Sequence, residues 1–175
     1  MRRLLLLRHA KSERLAPGEN DLDRRLTPRG RNDAPKLGAY MVRHALTPER
    51  VIVSTAARAR ETWDLVAAAF ASTPPPVYDE RLYEAAPQAI LQVIEECGGE
   101  APTLLIVGHN PGLQELASLL IASGDIEARQ RLNESFPTSG LVVIEFALDD
   151  WTRLHPHAGR LDHFVSPRSL NPATD

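Results

Sequence analysis

Four basic side chains that could bind an anion follow three short apolar runs of the sequence. Arg8 and His9 follow the first run directly, Arg58 lies shortly after the second, and His109 comes just after the third. The runs span residues 4–7, 51–53 and 104–107. A guanidinium can donate paired hydrogen bonds to a phosphate or carboxylate, and an imidazole can act as a nucleophile or a base. Each motif alone also fits exposed residues at the end of a strand.

The elements around these runs predict a mostly parallel sheet. Further apolar runs, at 141–144 and near 77–78, alternate with helical patterns over 57–70, 90–94 and 113–121. Such alternation is typical of a three-layer α/β fold, in which a mostly parallel central sheet carries helices on both faces. Ligands bind beside the carboxyl ends of the strands in open sheets of this kind, so we expect the four basic side chains to converge there.

Two of the motifs also lie where a helix is predicted to begin. Ser54 or Thr55 can cap a helix whose first turn contains Arg58. Asn110 can cap another helix, with Pro111 as its first residue. An arginine in a first turn is electrostatically unfavourable, because a helix N-terminus carries partial positive charge. A bound anion would remove that conflict, since helix N-termini bind phosphate.

Three further patterns complete the predicted elements. A capping residue and a first-turn proline at 27–28 predict a helix, in which Pro35 predicts a kink or a broken first turn. Residues 141–146 are expected to form a hairpin at the sheet edge with residues 151–154. The tail after Ser166 is predicted to be irregular.

Composition and charge limit the classes of protein that fit. With 175 residues and a net charge of -3, we expect one domain over 1–175 and no nucleic-acid partner. The apolar run at 4–7 is too short for a signal peptide, which predicts a cytoplasmic protein with no membrane partner. Cys97 is the only cysteine, so no disulfide is predicted. His155, His157 and His163 lack the spacing of a metal site, and we expect neither a metal nor another cofactor.

The ordered set of motifs resembles the histidine phosphatase superfamily, which shares its fold with cofactor-dependent phosphoglycerate mutases. The matching segments are Leu7-Arg8-His9-Ala10, Ser54-x-x-x-Arg58-Ala59-x-x-Thr62 and Val107-Gly108-His109-Asn110. Within that superfamily, residues 25–30, 82–85 and 138–140 are similar to the small SixA-like phosphohistidine phosphatases. Ala10 stands where the family usually has glycine.

The resemblance implies a two-step reaction through a phosphohistidine. His9 would attack phosphorus, the other three basic residues (Arg8, Arg58 and His109) would hold the phosphoryl oxygens, and water would hydrolyse the intermediate. Glu84 is a candidate general acid, and it equally fits a solvated loop position. The chain between Arg58 and His109 has no room for a large lid, which predicts an open, shallow pocket. Such a pocket suits a phosphorylated side chain on a protein, above all phosphohistidine.

Other functions stay open at this point. A phosphatase or mutase for small phosphate esters would carry the same motifs, and a non-catalytic phosphate-binding module would keep the arginines. A cysteine-based phosphatase does not fit, because Thr103 stands six residues after Cys97 where an arginine is required. An aspartate-based phosphatase does not fit either, because Asp21 and Asp23 lie far beyond the end of the first strand.

Overall fold

The protein folds around a seven-stranded sheet, and the computed structural model describes residues 1–170. The strands are β1 (Arg2–Arg8), β2 (Arg50–Ser54), β3 (Val77–Asp79), β4 (Thr103–Gly108), β5 (Ile121–Gly124), β6 (Leu141–Phe146) and β7 (Gly159–Val165). The helices are α1 (Pro28–Arg43), α2 (Ala57–Ala67), α3 (Pro87–Cys97), α4 (Gly112–Leu120), α5 (Ile126–Glu134) and α6 (Pro167–Leu170). Short 3₁₀ turns occupy Asp21–Asp23, Glu80–Leu82 and Trp151–Arg153. Within this described part, none of the helices is both long and apolar enough to cross a bilayer.

The sheet is mostly parallel, as predicted. Its strand order is β3-β2-β4-β1-β6-β7-β5. β6 is antiparallel to both of its neighbours, and the other neighbouring strands pair in parallel. Because β2, β4 and β1 are adjacent and parallel, their last residues, Ser54, Gly108 and Arg8, lie at the same edge of the sheet.

Alternate residues of β1 face two separate hydrophobic cores. Leu4 and Leu6 pack with residues of α3 and α4, whereas Leu5 and Leu7 pack with residues of α1 and α2. All four leucines are fully buried. Burying each such side chain stabilises the fold by about 1.5–3 kcal/mol. The two cores therefore fix helices on both faces of the sheet, which confirms the predicted three layers.

The predicted edge hairpin is wrong. β6 lies between β1 and β7, and its hairpin partner is β7 rather than residues 151–154. The segment at 151–154 instead begins with a 3₁₀ turn that buries Trp151. The Trp151 indole N–H donates to the carbonyl of Ala101 at 2.7 Å. A buried tryptophan with a satisfied N–H is a strong anchor, and it holds this segment off the sheet.

Three predicted element boundaries also differ from the structure. α2 ends at Ala67 rather than at residue 70. Ile121, counted as the last apolar residue of α4, begins β5 and pairs with β7. The tail after Ser166 is not irregular at first, because α6 follows directly, and the rest of that prediction lies outside the described residues.

The start of α1 agrees with its sequence signals, but its predicted break does not occur. The Thr27 hydroxyl caps the helix by accepting a hydrogen bond from the Gly30 N–H at 3.0 Å. The helix then continues through Pro35 without a break. Pro35 removes one backbone donor, but the neighbouring Ala34 and Leu37 are fully buried in the core beneath α1. That packing holds the helix together across the proline.

Candidate active site

His9 lies directly after β1 and is fixed by hydrogen bonds on its backbone and its ring. Its N–H donates to the Gly108 carbonyl at 3.1 Å, and its carbonyl accepts from the Ser139 N–H at 3.1 Å. The ring Nδ1 lies 2.7 Å from the carbonyl oxygen of Ala10. A carbonyl can only accept, so Nδ1 carries the proton and Nε2 keeps the lone pair. The ring is thus held in the tautomer that allows nucleophilic attack from Nε2.

His109 faces His9 and is oriented by Ser54 at the end of β2. The two imidazole centroids are 5.2 Å apart, and His109 Nε2 lies 2.7 Å from Ser54 Oγ. Ser54 Oγ also accepts from the Ala56 N–H at 3.3 Å, and its own hydroxyl proton can donate to the lone pair of His109 Nε2. The proton of neutral His109 then sits on Nδ1, a buried atom without a hydrogen-bond partner among residues 1–170.

Burial keeps both imidazoles neutral near neutral pH. It is the largest cause that lowers the pKa of His9 to about 3, and the positive charges of Arg58 and Arg8 act in the same direction. The hydrogen bond to Ala10 opposes this shift. Burial followed by the charge of Arg58 lowers the pKa of His109 to about 4. Both rings therefore lose their protons well below pH 7 and carry lone pairs under ordinary conditions.

Arg8 is held against the loop that precedes β6. Its guanidinium Nη1 donates to the Phe136 carbonyl at 2.9 Å, and its backbone N–H donates to the Gly140 carbonyl at 3.0 Å. Its Nε is buried and has no partner in the described part of the chain. Burial lowers the pKa of Arg8, but a guanidinium stays charged under any ordinary condition. Arg8 thus places a fixed cation beside His9.

Arg58 stands in the first turn of α2, as predicted, and the chain itself supplies an anion for it. Its Nη1 and Nη2 donate to the Asp21 carbonyl at 2.8 Å and to the Asp21 carboxylate at 3.1 Å. The Tyr83 hydroxyl and Arg24 Nε also donate to that carboxylate. These groups lower the pKa of Asp21, with the Tyr83 hydrogen bond as the largest cause. Asp21 and Tyr83 are site residues that the sequence motifs did not identify.

Thr62, the last residue of the motif Ser54-x-x-x-Arg58-Ala59-x-x-Thr62, makes two hydrogen bonds that support the site. Its hydroxyl accepts from the Ala10 N–H at 2.9 Å and donates to the Arg58 carbonyl at 2.7 Å. The Thr62 hydroxyl therefore links the backbone after His9 to the first turns of α2 through hydrogen bonds. The predicted capping role of Ser54 or Thr55 is wrong, because Ala56 occupies the N-cap and no side chain caps α2.

The cap predicted for α4 is also wrong. Pro111 occupies the N-cap position, α4 begins at Gly112, and the peptide bond between Asn110 and Pro111 is cis. The Asn110 side-chain amide instead donates to the Phe136 carbonyl at 3.0 Å. That carbonyl is the one that accepts from Arg8, so one acceptor positions groups from two strand ends.

A cavity of about 280 Å³ brings together the four basic residues predicted from the sequence, namely Arg8, His9, Arg58 and His109. Glu84 does not line this cavity. It borders a neighbouring cavity whose wall also includes His109. A buried pair of neutral imidazoles between two guanidinium groups can bind an anion and present a nucleophile to it.

Comparisons with known proteins agree with this arrangement. The model of the histidine phosphatase superfamily (branch 1) matches residues 4–90. The chain is 38% identical to the uncharacterized protein Rv1276c of Mycobacterium tuberculosis over 164 residues, which cover 93% of this chain and 100% of that protein. The chain belongs to the histidine phosphatase superfamily.

Two solved structures with related sequences have the same fold. The putative phosphohistidine phosphatase SixA from Agrobacterium tumefaciens is 32% identical, with a TM-score of 0.78 and coverage of 95% of this chain and 99% of that one. The putative phosphohistidine phosphatase SixA from Nakamurella multipartitia is 26% identical, with a TM-score of 0.79 and coverage of 95% of this chain and 96% of that one.

Within residues 1–170, no group of three or more His, Cys, Asp or Glu side chains is placed to hold a metal ion.

Proposed function

We propose that the protein is a phosphatase that forms a phosphohistidine on His9 and acts on phosphohistidine in another protein. The observation that carries the proposal is the state of His9: a buried, neutral ring with Nδ1 bound to Ala10 and Nε2 left as a lone pair. A structural histidine would be expected to use both ring nitrogens in hydrogen bonds. This one keeps its nucleophilic atom available beside two arginines.

Three buried donors around the cavity lack acceptors in the described chain. They are Arg8 Nε, Arg58 Nε and His109 Nδ1. A buried polar group without a partner costs about 1–3 kcal/mol. A phosphoryl group supplies several acceptor oxygens for the donors of these side chains that face the cavity, while the guanidinium groups balance its charge.

The proposed reaction has two displacement steps. Nε2 of His9 attacks phosphorus and forms a P–N bond, while the bond from phosphorus to the leaving group breaks with its electron pair. Water then attacks the phosphohistidine, the P–Nε2 bond breaks, and inorganic phosphate leaves with His9 neutral again. Arg8, Arg58 and the His109 N–H stabilise the charge on the phosphoryl oxygens in both steps.

The leaving group favours phosphohistidine over a phosphate ester. An alkoxide needs a proton from a positioned acid, which contributes about 10²–10⁴-fold where it is present. Glu84 lines the neighbouring cavity and not the one that contains His9. An imidazole has a pKa near 6.5 and leaves with much less help. The structural relatives, putative phosphohistidine phosphatases, support the same substrate class.

A substrate survey tests the proposed function. We expect kcat/KM for a phosphohistidine peptide to exceed that for phosphoserine peptides and for compact sugar phosphates by about 10²-fold, the contribution of a missing general acid. Release of inorganic phosphate measures all three substrates in one assay. A preference for a compact sugar phosphate would instead support the alternative of a small-ester phosphatase or mutase. Phosphate binding without turnover of any substrate would support the non-catalytic module.

Replacing Ser54 with alanine should impair the His109 donor. Without the hydroxyl, neutral His109 no longer has a fixed tautomer, so we expect kcat/KM at neutral pH to fall about tenfold, the value of one hydrogen bond to a charged group. The acid limb of the pH profile should move upward, because the lost hydrogen bond favoured the neutral ring. In the wild type, pKa values of about 3 for His9 and about 4 for His109 predict activity that falls only below about pH 5. Ser54→Thr keeps a hydroxyl and should restore most of the activity, whereas an unchanged pH profile in Ser54→Ala would contradict the assigned role.

A further inference from the structure

A groove of about 360 Å³ adjoins the candidate active site and shares Thr138 with it. Thr138 lies in the short segment that supports the site: the preceding Phe136 carbonyl binds Arg8, and the following Ser139 N–H binds the His9 carbonyl. The walls of the groove come from the start of α1, the end of α5, the end of β7 and α6. A substrate chain that crosses Thr138 would therefore contact both cavities.

Three arginines line the groove: Arg29, Arg131 and Arg168. Arg131 lies over the Phe164 ring, with its guanidinium carbon 5.9 Å from the ring centroid. Neither Arg131 nor Arg168 forms an ion pair with a carboxylate among residues 1–170. These two guanidinium groups are placed to bind carboxylates of another molecule.

The two acidic residues of the groove offset the charge of its three arginines only in part. Asp33 is nearly buried and already lies 3.6 Å from Arg29 and 3.5 Å from Lys36, so its carboxylate is neutralised locally. Glu134 is the one acidic side chain in the groove lining that forms no ion pair within the described residues. Because the chain as a whole has a net charge of -3, the cationic groove is a local departure from the character of the protein.

The rim of the active-site cavity extends the positive surface. Its lining adds Lys11, Arg14 and Arg24, against one acidic residue, Glu13. The backbone connects the two regions as well, because a Cβ added at Gly30, next to Arg29 in α1, would lie 2.2 Å from the Lys11 carbonyl oxygen. Glycine is therefore required where the start of α1 packs against the rim.

We propose that the groove binds acidic residues that flank the phosphorylated side chain of a protein substrate. This inference rests on the proposed function and names the part of the substrate that lies outside the phosphoryl site. Carboxylates of the substrate would pair with Arg131 and Arg168, and the apolar parts of its side chains would lie on Phe164. Charge complementarity of this kind raises the rate of association and selects among partners.

Charge reversal in the groove tests the proposal through selectivity. The double variant Arg131→Glu/Arg168→Glu is compared with the wild type on two phosphohistidine peptides, one with acidic and one with neutral flanks, and on a small phosphoramidate. We expect kcat/KM for the acidic peptide to fall at least about tenfold, because close charge pairs at an interface contribute more than 1.4 kcal/mol. The values of kcat/KM for the neutral peptide and for the small phosphoramidate should change by less than about twofold, since surface substitutions remote from the reacting atoms have small effects.

Arg129→Glu is the matched control, because Arg129 lies on the same helix but lines a different cavity. It should leave the selectivity for the acidic peptide unchanged. An equal loss on both peptides, or no loss on either, would overturn the proposal. A loss of activity toward the small phosphoramidate that follows the charge reversal would instead assign the groove to a second anionic part of a small ligand, and would also overturn it.

A binding measurement separates failure of the groove from failure of the proposed function. Fluorescence anisotropy follows a labelled, unphosphorylated acidic peptide, which requires no catalysis. We expect the wild type to bind it more tightly than a neutral peptide, with the difference reduced by added salt and by the double variant. If the acidic peptide binds in this way while no phosphohistidine is hydrolysed, the proposed function fails and the proposal for the groove is supported. If phosphohistidine is hydrolysed but the peptides bind equally, the groove proposal fails alone.

Discussion

His9→Ala is expected to lower turnover by more than about 10⁴-fold, the loss typical of a covalent nucleophile. Nε2 is the atom that forms the proposed P–N bond, and no other ring can replace it. His109, the other imidazole in the cavity lining, already uses its Nε2 in the hydrogen bond with Ser54. Rapid acid-free quenching with a labelled phosphoryl donor should trap phosphate on the wild type in an acid-labile, base-stable form, and should trap none on the variant.

His155→Ala provides the matched control for this experiment. His155 is exposed, and its ring contacts the carbonyl of Arg153 at 3.0 Å, far along the chain from the site. We expect normal turnover and normal trapping in that variant. Hydrolysis at the wild-type rate by His9→Ala would rule out the two-step mechanism, and trapped phosphate on His9→Ala would assign the nucleophile to another residue.

The position of the proposed nucleophile could be predicted from sequence because a parallel sheet imposes it. Arg8 ends one strand and His9 follows it, and His109 follows the neighbouring parallel strand, so their distance depends on sheet pairing and not on loop details. The same holds for Arg58, which comes shortly after β2, the next parallel strand. Runs of apolar residues determine the pairing, and basic residues at their ends determine the site.

The residues that complete the site depend on loops that local patterns do not determine. Asp21 reaches Arg58 through a 3₁₀ turn after a long irregular segment, and Tyr83 follows another such turn. The unfavourable position of Arg58 in a helix first turn did predict an anion, but it could not distinguish a ligand from a carboxylate of the same chain. Asp21 provides that carboxylate in the structure.

Two predicted helix caps failed for a related reason. Both Ser54 and Asn110 are good capping residues, and local preference alone assigns them to the helices that follow. Their side chains instead bind groups that are distant in sequence, His109 and the Phe136 carbonyl. Competition between a local cap and a tertiary partner depends on the assembled sheet. Residues that break a local rule in this way are concentrated at the site.

Arg58→Ala is expected to lower kcat/KM by at least about 100-fold, as removal of one donor to a developing oxyanion commonly does. Two effects add in this variant. The phosphoryl oxygens lose a guanidinium, and the Asp21 carboxylate loses the cation with which it now pairs at 3.1 Å. Arg24 still pairs with this carboxylate, but with one cation fewer beside it Asp21 repels a phosphate more strongly. The pKa of His109 should also rise, because the charge of Arg58 lowers it.

Asp21→Asn distinguishes these two effects. If the negative charge of Asp21 contributes to the loss, Arg58→Ala/Asp21→Asn should be about tenfold more active than Arg58→Ala, a coupling of about 1.4 kcal/mol between neighbouring residues. Arg58→Lys should recover little of the lost kcat/KM, because an ammonium lacks the planar paired donors of a guanidinium.

Arg60→Ala is the control on the same helix. The Arg60 guanidinium lies over the Tyr78 ring at 4.9 Å, outside the cavity lining, and its loss should change kcat/KM by less than about twofold. Equal losses for Arg60→Ala and Arg58→Ala would mean that general positive charge on α2, rather than a placed donor, supports the reaction.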